Sequence, residues 1–408
     1  MLSPNTHEGV FLGKNADEFV LSKDNYPIFV CGPSGSGKGT GFSIPNLLFW
    51  EKSAIVHDPK GEIFSATSGW RKKIGHKIYL WNPAVEDNYT HRYNPLDAVN
   101  RDPDKIVDDV YQIAYAILPE HEFWSIGARS LFTALAIWHL MSSNKEKTLG
   151  AIVRTLRGNN VVFDLAATLD NELKTLHPIA YMNIASFLQK EDKERSGIIS
   201  LLNSALDLWT SSRIDRLTAK SDFMLDSLRN ENITIYVIVS PHCVDRMLPL
   251  LRIFYTQLRE SLCKEPCFED TPDPSALLMI DGYGDLASID SLSGGAAFYR
   301  GYGIKLCVTT QSPLPDDSPM VINSSYRIAF TPNDSRSARS IAQASYVLDN
   351  EGKNSPLESA DILALPQNKQ ILNTTSQPTQ TVDKIYYYND AFFQDRLLPA
   401  VKIKSSFS

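Results

Sequence analysis

The stretch from Phe29 to Gly41, FVCGPSGSGKGTG, constrains this chain more than any other, because up to Lys38 it matches the phosphate-binding loop G-x-x-x-x-G-K. YPIFV before it reads as a short buried strand and FSIPNLLFW after it as an apolar, helix-compatible run. That is the strand–loop–helix setting the motif requires. Gly32, Gly35 and Gly37 let the backbone turn tightly and aim its N–H groups at phosphate oxygens. Pro33, Ser34 and Ser36 complete the cradle, and the helix N-terminus adds its partial positive charge. Lys38 is placed to neutralise the β- and γ-phosphates, so the first expected ligand is a nucleoside triphosphate. Gly39 stands where a Ser or Thr ordinarily gives its hydroxyl to magnesium, and Thr40 is the nearest hydroxyl. Nucleotide binding is thus better specified than metal geometry. A Gly/Ser-rich loop that binds nothing would leave unexplained the lysine in register and the strand before it.

A chain of 408 residues with 43% apolar content has room for two to three domains and a real core. Its strongly apolar windows, such as LFTALAIWHLM at 131–141, fall short of the ~20 residues a membrane-spanning helix needs, and no charged-then-apolar signal segment opens the chain. The expectation is a soluble, intracellular protein. Cys31, Cys243, Cys263, Cys267 and Cys307 form an odd set that does not suggest a disulfide framework. Cys263 and Cys267 have a loose metal-like spacing, but no second pair or nearby His completes four ligands, so no metal beyond a nucleotide's magnesium is expected. The net charge of −7 argues against a surface that grips nucleic acid over its whole extent, while leaving room for a local basic channel.

Short β-branched runs at 28–31, 53–57, 77–81, 232–239, 276–280, 304–310 and 326–330 predict buried strands. Most end at a polar or Gly/Pro turn, as parallel strands do before a crossover helix. Between about 99 and 225 the pattern changes to windows of helical spacing at 107–118, 123–141, 153–158, 184–190 and 198–209. The economical architecture is an α/β nucleotide-binding domain over 1–98 and 225–408, interrupted by an all-helical insertion over 99–224. Segments 311–320 and 349–357 read as surface loops. The charge-rich 191–197 and 211–217 read as solvated helix faces, and YYYND at 386–390 as an edge strand and packing cluster rather than a base-stacking platform.

A second nucleotide motif is LLMIDGYGDL at 277–286, an apolar strand closing on Asp281 where a Walker B aspartate would hold the magnesium shell. A third is IKLCVTTQS, which ends at Gln311, where RecA-like ATPases often place a sensor of the γ-phosphate. With HDPKGE at 57–62, WNP at 81–83, RYNPLD at 92–97, FW at 123–124, RLTAKSDFMLDSL at 216–228, RGYGIKL at 300–306 and INSSYRIAFTPND at 322–334, the order resembles the type IV coupling proteins. These are the TraG/TraD-like ATPases of conjugation and type IV secretion, and the resemblance spans roughly 9–350. In that family a GKG often replaces GK[ST].

The resemblance implies a RecA-like P-loop ATPase with a mostly parallel central sheet, an inserted all-α domain implicated in substrate recognition, and ATP with Mg2+ as cofactors. It implies Lys38, Asp281, Gln311 and Arg300 as catalytic residues: the loop lysine, the magnesium aspartate, the γ-phosphate sensor and an arginine finger offered in trans. Arg327 is a second finger candidate. The implied metal ligands are Asp281 and Thr40. Its implied partners are further copies in a membrane-attached homohexamer, type IV secretion channel components, and cargo that is a relaxase–DNA complex, effector proteins or single-stranded DNA. The place implied is the cytoplasmic face of the bacterial inner membrane.

Two departures stand out. The family's Asp-Glu-Phe is here Asp281-Gly282-Tyr283, and a glycine cannot take a proton, so Asp285, Glu62 or Asp58 would have to serve as base. The usual N-terminal pair of membrane helices is also not seen in the thirty or so residues before the loop. The alternatives are a docking receptor that binds but does not hydrolyse nucleotide, and a DNA translocase of the cell-division kind.

Overall fold

All seven apolar runs form strands, and these lie side by side and parallel. In this computed structural model, which describes residues 9–85, 89–172, 174–266, 275–348, 353–375 and 377–405, they are β3 (Ile28–Cys31), β4 (Ser53–His57), β5 (Lys77–Trp81), β6 (Ile233–Val237), β7 (Ala276–Ile280), β8 (Ile304–Thr310) and β9 (Tyr326–Phe330). β3, β4, β6, β7 and β8 are buried at every position. A strand covered on both faces needs apolar residues throughout, which is why these runs do not alternate.

Four further strands extend the sheet: β1 (Val10–Asn15), β2 (Glu18–Ser22), β12 (Lys369–Thr374) and β13 (Gln377–Asp383). The order across eleven strands is β2-β1-β13-β12-β9-β3-β8-β7-β4-β6-β5, with every pairing from β9 to β2 antiparallel. The sheet is therefore mostly parallel with an antiparallel flank. That flank escapes a search for apolar runs because strands such as QPTQTVD are polar and half-exposed. β10 (Tyr346–Leu348) and β11 (Asn354–Pro356) form a separate ribbon.

Two expectations are corrected. Residues 386–390 do not form an edge strand: Asn389 and Asp390 N–H both donate to Tyr386 O, closing a turn, because Asn-Asp after the tyrosines favours local turn bonding over a ladder. Part of the loop expected at 349–357 pairs as β11, whereas 349–352 lie outside the described residues. Cys267 and residues 1–8, where any leader would begin, also lie outside them.

The chain divides into two compact units, one comprising the residues up to Asn82, Asp226–Pro241 and Ser261–Lys404, the other Pro83–Leu225 and His242–Glu260. The first carries the sheet, α1 (Ile44–Phe49) and α2 (Glu62–Lys73). Its core gathers Val30, Leu47, Phe49, Val56, Leu277, Met279, Cys307 and Phe330. The second is helical: α3 (Ile106–Ile117), α4 (Phe123–Met141), α5 (Leu149–Leu156), α6 (Val161–Asn171), α7 (Pro178–Leu188), α8 (Asp192–Ala205), α9 (Ser212–Leu217) and most of α10 (Pro241–Leu262). From Leu131 to Leu140, α4 is buried on all sides, as expected of a central helix wrapped by α3, α5, α7 and α8.

Within this unit the RYNPLD motif does structural work. Arg92 grips Asp222 through Nε–Oδ2 (3.1 Å) and Nη2–Oδ1 (2.7 Å), and Asn94 caps the turn Pro95–Ala98 by accepting from Leu96 N–H. Tyr93 donates its hydroxyl to Gln257 Oε1 (2.6 Å), whose amide donates to Pro95 O (2.8 Å). Among the described residues, no helix is long and apolar enough to cross a membrane.

Candidate functional site

Four neighbouring strands end within two residues of one another. The register pairs Cys31 with Thr310, Val308 with Ile280, and Ile280 with His57. Gly32, Gln311, Asp281 and Asp58, which directly follow β3, β8, β7 and β4, therefore share one sheet edge. In open parallel sheets that carboxyl edge is where ligands bind.

The phosphate loop closes on itself: Gly32 N–H donates to Thr310 O (3.2 Å), Ser36 N–H to Pro33 O (3.2 Å) and Gly41 N–H to Gly37 O (2.6 Å). Gly37 sits at φ +93°, a left-handed conformation that favours glycine. A single π-type turn, Gly39–Ser43, leads into α1, and such turns recur at functional sites. Lys38 Nζ folds over the loop and donates to Gly32 O (2.6 Å) and Pro33 O (3.0 Å). Burial lowers its pKa below the usual lysine range, while the neighbouring Asp281 carboxylate acts in the opposite sense. Thr40 Oγ1 donates to Gly37 O (3.2 Å). Ser34 and Gly35 form the exposed tip, and a Cβ placed on Gly39 would meet nothing within 4 Å, so the missing hydroxyl there is a choice of sequence, not of space. Ser36 Oγ is buried without a hydrogen-bond partner among the described residues. An unpaired buried hydroxyl costs ~1–3 kcal/mol, and a phosphate oxygen would satisfy it. The loop thus fits a polyphosphate.

Next to the loop, Asp281 Oδ1 accepts from Thr309 Oγ1 (2.5 Å), and the same hydroxyl accepts from Gly282 N–H (3.3 Å). Thr309 fixes the aspartate's rotamer, a role that the TTQS motif signals only through its hydroxyls. Asp58 is 1% exposed and accepts from Phe64 N–H (2.8 Å) at the start of α2, which is how the DPKGE turn is built. Burial pushes its carboxyl up to about 6, the Phe64 N–H opposes this, and the nearby Asp281 charge adds to it.

Gly282 lies at φ +76°, and a Cβ there would sit 3.4 Å from Pro59 Cγ and 3.9 Å from Asp285 Oδ2. Of the carboxylates, Asp285 therefore lies nearest to where a Glu at 282 would start, and Glu62 is exposed at the first position of α2.

Gln311 lines a small cleft with Gly32 and Pro33. Arg300 is elsewhere: it precedes β8 and its guanidinium stacks 3.7 Å from the centre of the Tyr26 ring. The seven residues of β8, at ~3.3 Å each, separate it from the loop's edge of the sheet. Arg327 pairs with Phe29 inside the sheet and donates to Val321 O (3.1 Å). The fold gathers Lys38, Asp281, Gln311 and Asp58, and it keeps both arginines away from their own loop. It also brings in Lys384, whose Nζ donates to Ser36 O (3.2 Å) from 348 residues away.

Residues 3–313 match the family described as Type IV secretory system Conjugative DNA transfer. Among curated relatives, the conjugal transfer protein TraG of Escherichia coli is 27% identical over 334 residues, covering 76% of this chain and 52% of TraG. Protein VirD4 of Rhizobium radiobacter is 28% identical over 294 residues, covering 69% and 41%. The chain spans about half the length of these relatives. Among solved structures, the plasmid coupling protein TrwB with a non-hydrolysable ATP analogue superposes with a TM-score of 0.65 at 14% identity, covering 89% of this chain and 86% of that one. TrwB with ADP and Mg2+ gives 0.65 at 15%, covering 91% and 88%. At such identities the likeness speaks for the fold.

Proposed function

The chain belongs to the type IV secretory system conjugative DNA transfer family, and on that premise we propose that it is a coupling ATPase. In this reading it recruits DNA–protein or effector cargo to a type IV secretion channel and couples ATP binding and hydrolysis to transfer. The observation that carries the proposal is the convergence of the Lys38 loop, the Thr309-held Asp281 and the buried Asp58 on one sheet edge. TraG supports it as a conjugal transfer protein, and TrwB as a coupling protein with a bound ATP analogue and with ADP and Mg2+.

The loop N–H groups and Lys38 hold the triphosphate. Asp281 and Thr40 are the residues for Mg2+, which when bound supplies charge neutralisation on the phosphates. With glycine at 282, Asp58 or Asp285 takes the proton of the attacking water, a service worth about 10²–10⁴ in rate. Gln311 contacts the γ-phosphate, and Arg300 serves a neighbouring copy, which makes a ring, with six copies expected, part of the proposal. The helical segment 99–224 is proposed as the cargo-facing domain, at the cytoplasmic face of the inner membrane.

The second reading, a receptor that binds ATP without hydrolysing it, is motivated by Gly282. ATP turnover at rising protein concentration, compared with Lys38→Ala and Gly282→Glu, tests both. The expected outcome is turnover that climbs more than linearly and vanishes with Lys38→Ala. A silent parent chain revived by Gly282→Glu would establish the receptor. The glutamate must adopt φ near +76°, at a cost of roughly 1–2 kcal/mol, so its melting temperature is followed in parallel.

A further inference from the structure

Lys384 follows β13 on the antiparallel flank, beyond the residues that match the family. It is 6% exposed, its ammonium lies 4.2 Å from the centre of the Phe330 ring, and its Nζ donates to Ser36 O (3.2 Å) in the phosphate loop. Tyr386, two residues on, approaches Gly37, and Ile385 O approaches Gly41. One short segment therefore lines the outside of the loop.

Two physical facts give this contact a consequence. A trans peptide is planar, with its C=O and N–H pointing in opposite directions. Holding Ser36 O on the Lys384 side therefore turns the next N–H, that of Gly37, away from it. The second fact is charge: among the described residues no carboxylate offsets this buried cation, and burial alone drives its pKa down, to about 8. Buried cations are ordinarily paired.

We propose that Lys384 is a positioning residue of the nucleotide site. Through Ser36 O it orients the Gly37 N–H toward a polyphosphate, and that anion in turn offsets its buried charge. The inference rests on the reading of the loop as a triphosphate site.

Calorimetric titration of the chain with ATP and with inorganic triphosphate, which lacks base and ribose, tests it. Lys384→Met is expected to weaken both by the same factor, roughly tenfold, the loss that goes with one charge-assisted bond and its field. Lys384→Arg, which restores a cationic donor, is expected to recover most of it. Should the Met variant not fold, Lys384→Gln, a neutral donor about half as strong, is expected to weaken both ligands at least threefold. Unchanged affinity in the Met or Gln variant, an Arg variant no better than Met, or a loss for ATP without one for inorganic triphosphate overturns the role of Lys384 alone. A parent chain that binds neither ligand, or that binds them equally well with Lys38→Ala, overturns the underlying site reading as well.

Discussion

Asp58 illustrates how a single carboxyl can be costly to the fold and useful to the site. Its pKa is raised from 3.8 to about 6, chiefly by burial. As pH rises, the unfolded chain therefore releases this proton first while the folded chain still holds it. Stability is lost between about pH 4 and pH 6, and the loss is complete above the folded value. Asp58→Asn keeps an oxygen to accept from Phe64 N–H and removes the titration. Chemical denaturation is expected to show it stabilised by roughly 2–3 kcal/mol at pH 7 and little changed at pH 4. If Asp58 is the base, turnover falls in the same variant by about 10²-fold or more; full activity would move that role to Asp285. The residue types were legible in DPKGE and DGYGD. Their pairing was not, because the register of β4 against β7 brings them together from 223 positions apart.

At the scale of an element, α2 is held to the sheet by one residue that no motif announces. Arg71 is fully buried, donates to Trp50 O, Lys52 O (2.5 Å) and Thr234 Oγ1 (3.0 Å), and meets His76 Nδ1 at 3.2 Å. It ties the entry to β4, and β6, to the helix that begins in the DPKGE turn. Replacing it with Met takes the donor from two backbone carbonyls, one buried and one part-buried, so Arg71→Met is expected to cost about 2–5 kcal/mol in urea unfolding. A loss under 1 kcal/mol would mean that water reaches those carbonyls. The helices of the second unit were legible where they are long and apolar, as α4 is over Phe123–Met141. α6 passed unnoticed because its apolar face is short and partly exposed, and α9 was legible only as a charge-rich helix face, without its buried Ile214 and Leu217.

For the whole molecule, the placement of Arg300 sets a condition. It stands at the amino end of β8, whereas the loop follows the carboxyl end of the neighbouring β3, so any role on a γ-phosphate must be played in another copy. An equimolar mixture of inactive Lys38→Ala and Arg300→Ala chains is therefore expected to regain about a quarter of parental turnover under random mixing, since some interfaces join an intact loop to an intact arginine. No recovery, with both variants still associating, would remove Arg300 from the chemistry.

The sequence by itself determined the seven parallel strands, the phosphate loop and the aspartate after β7, because these depend on local backbone freedom and on continuous apolar runs. Only the tertiary structure decided that Thr309 holds Asp281, that Asp58 is buried beside it, that Arg300 faces away, and that Lys384 braces Ser36. Each of these follows from strand order and register, which join residues between 28 and 348 positions apart and leave no periodic trace along the chain.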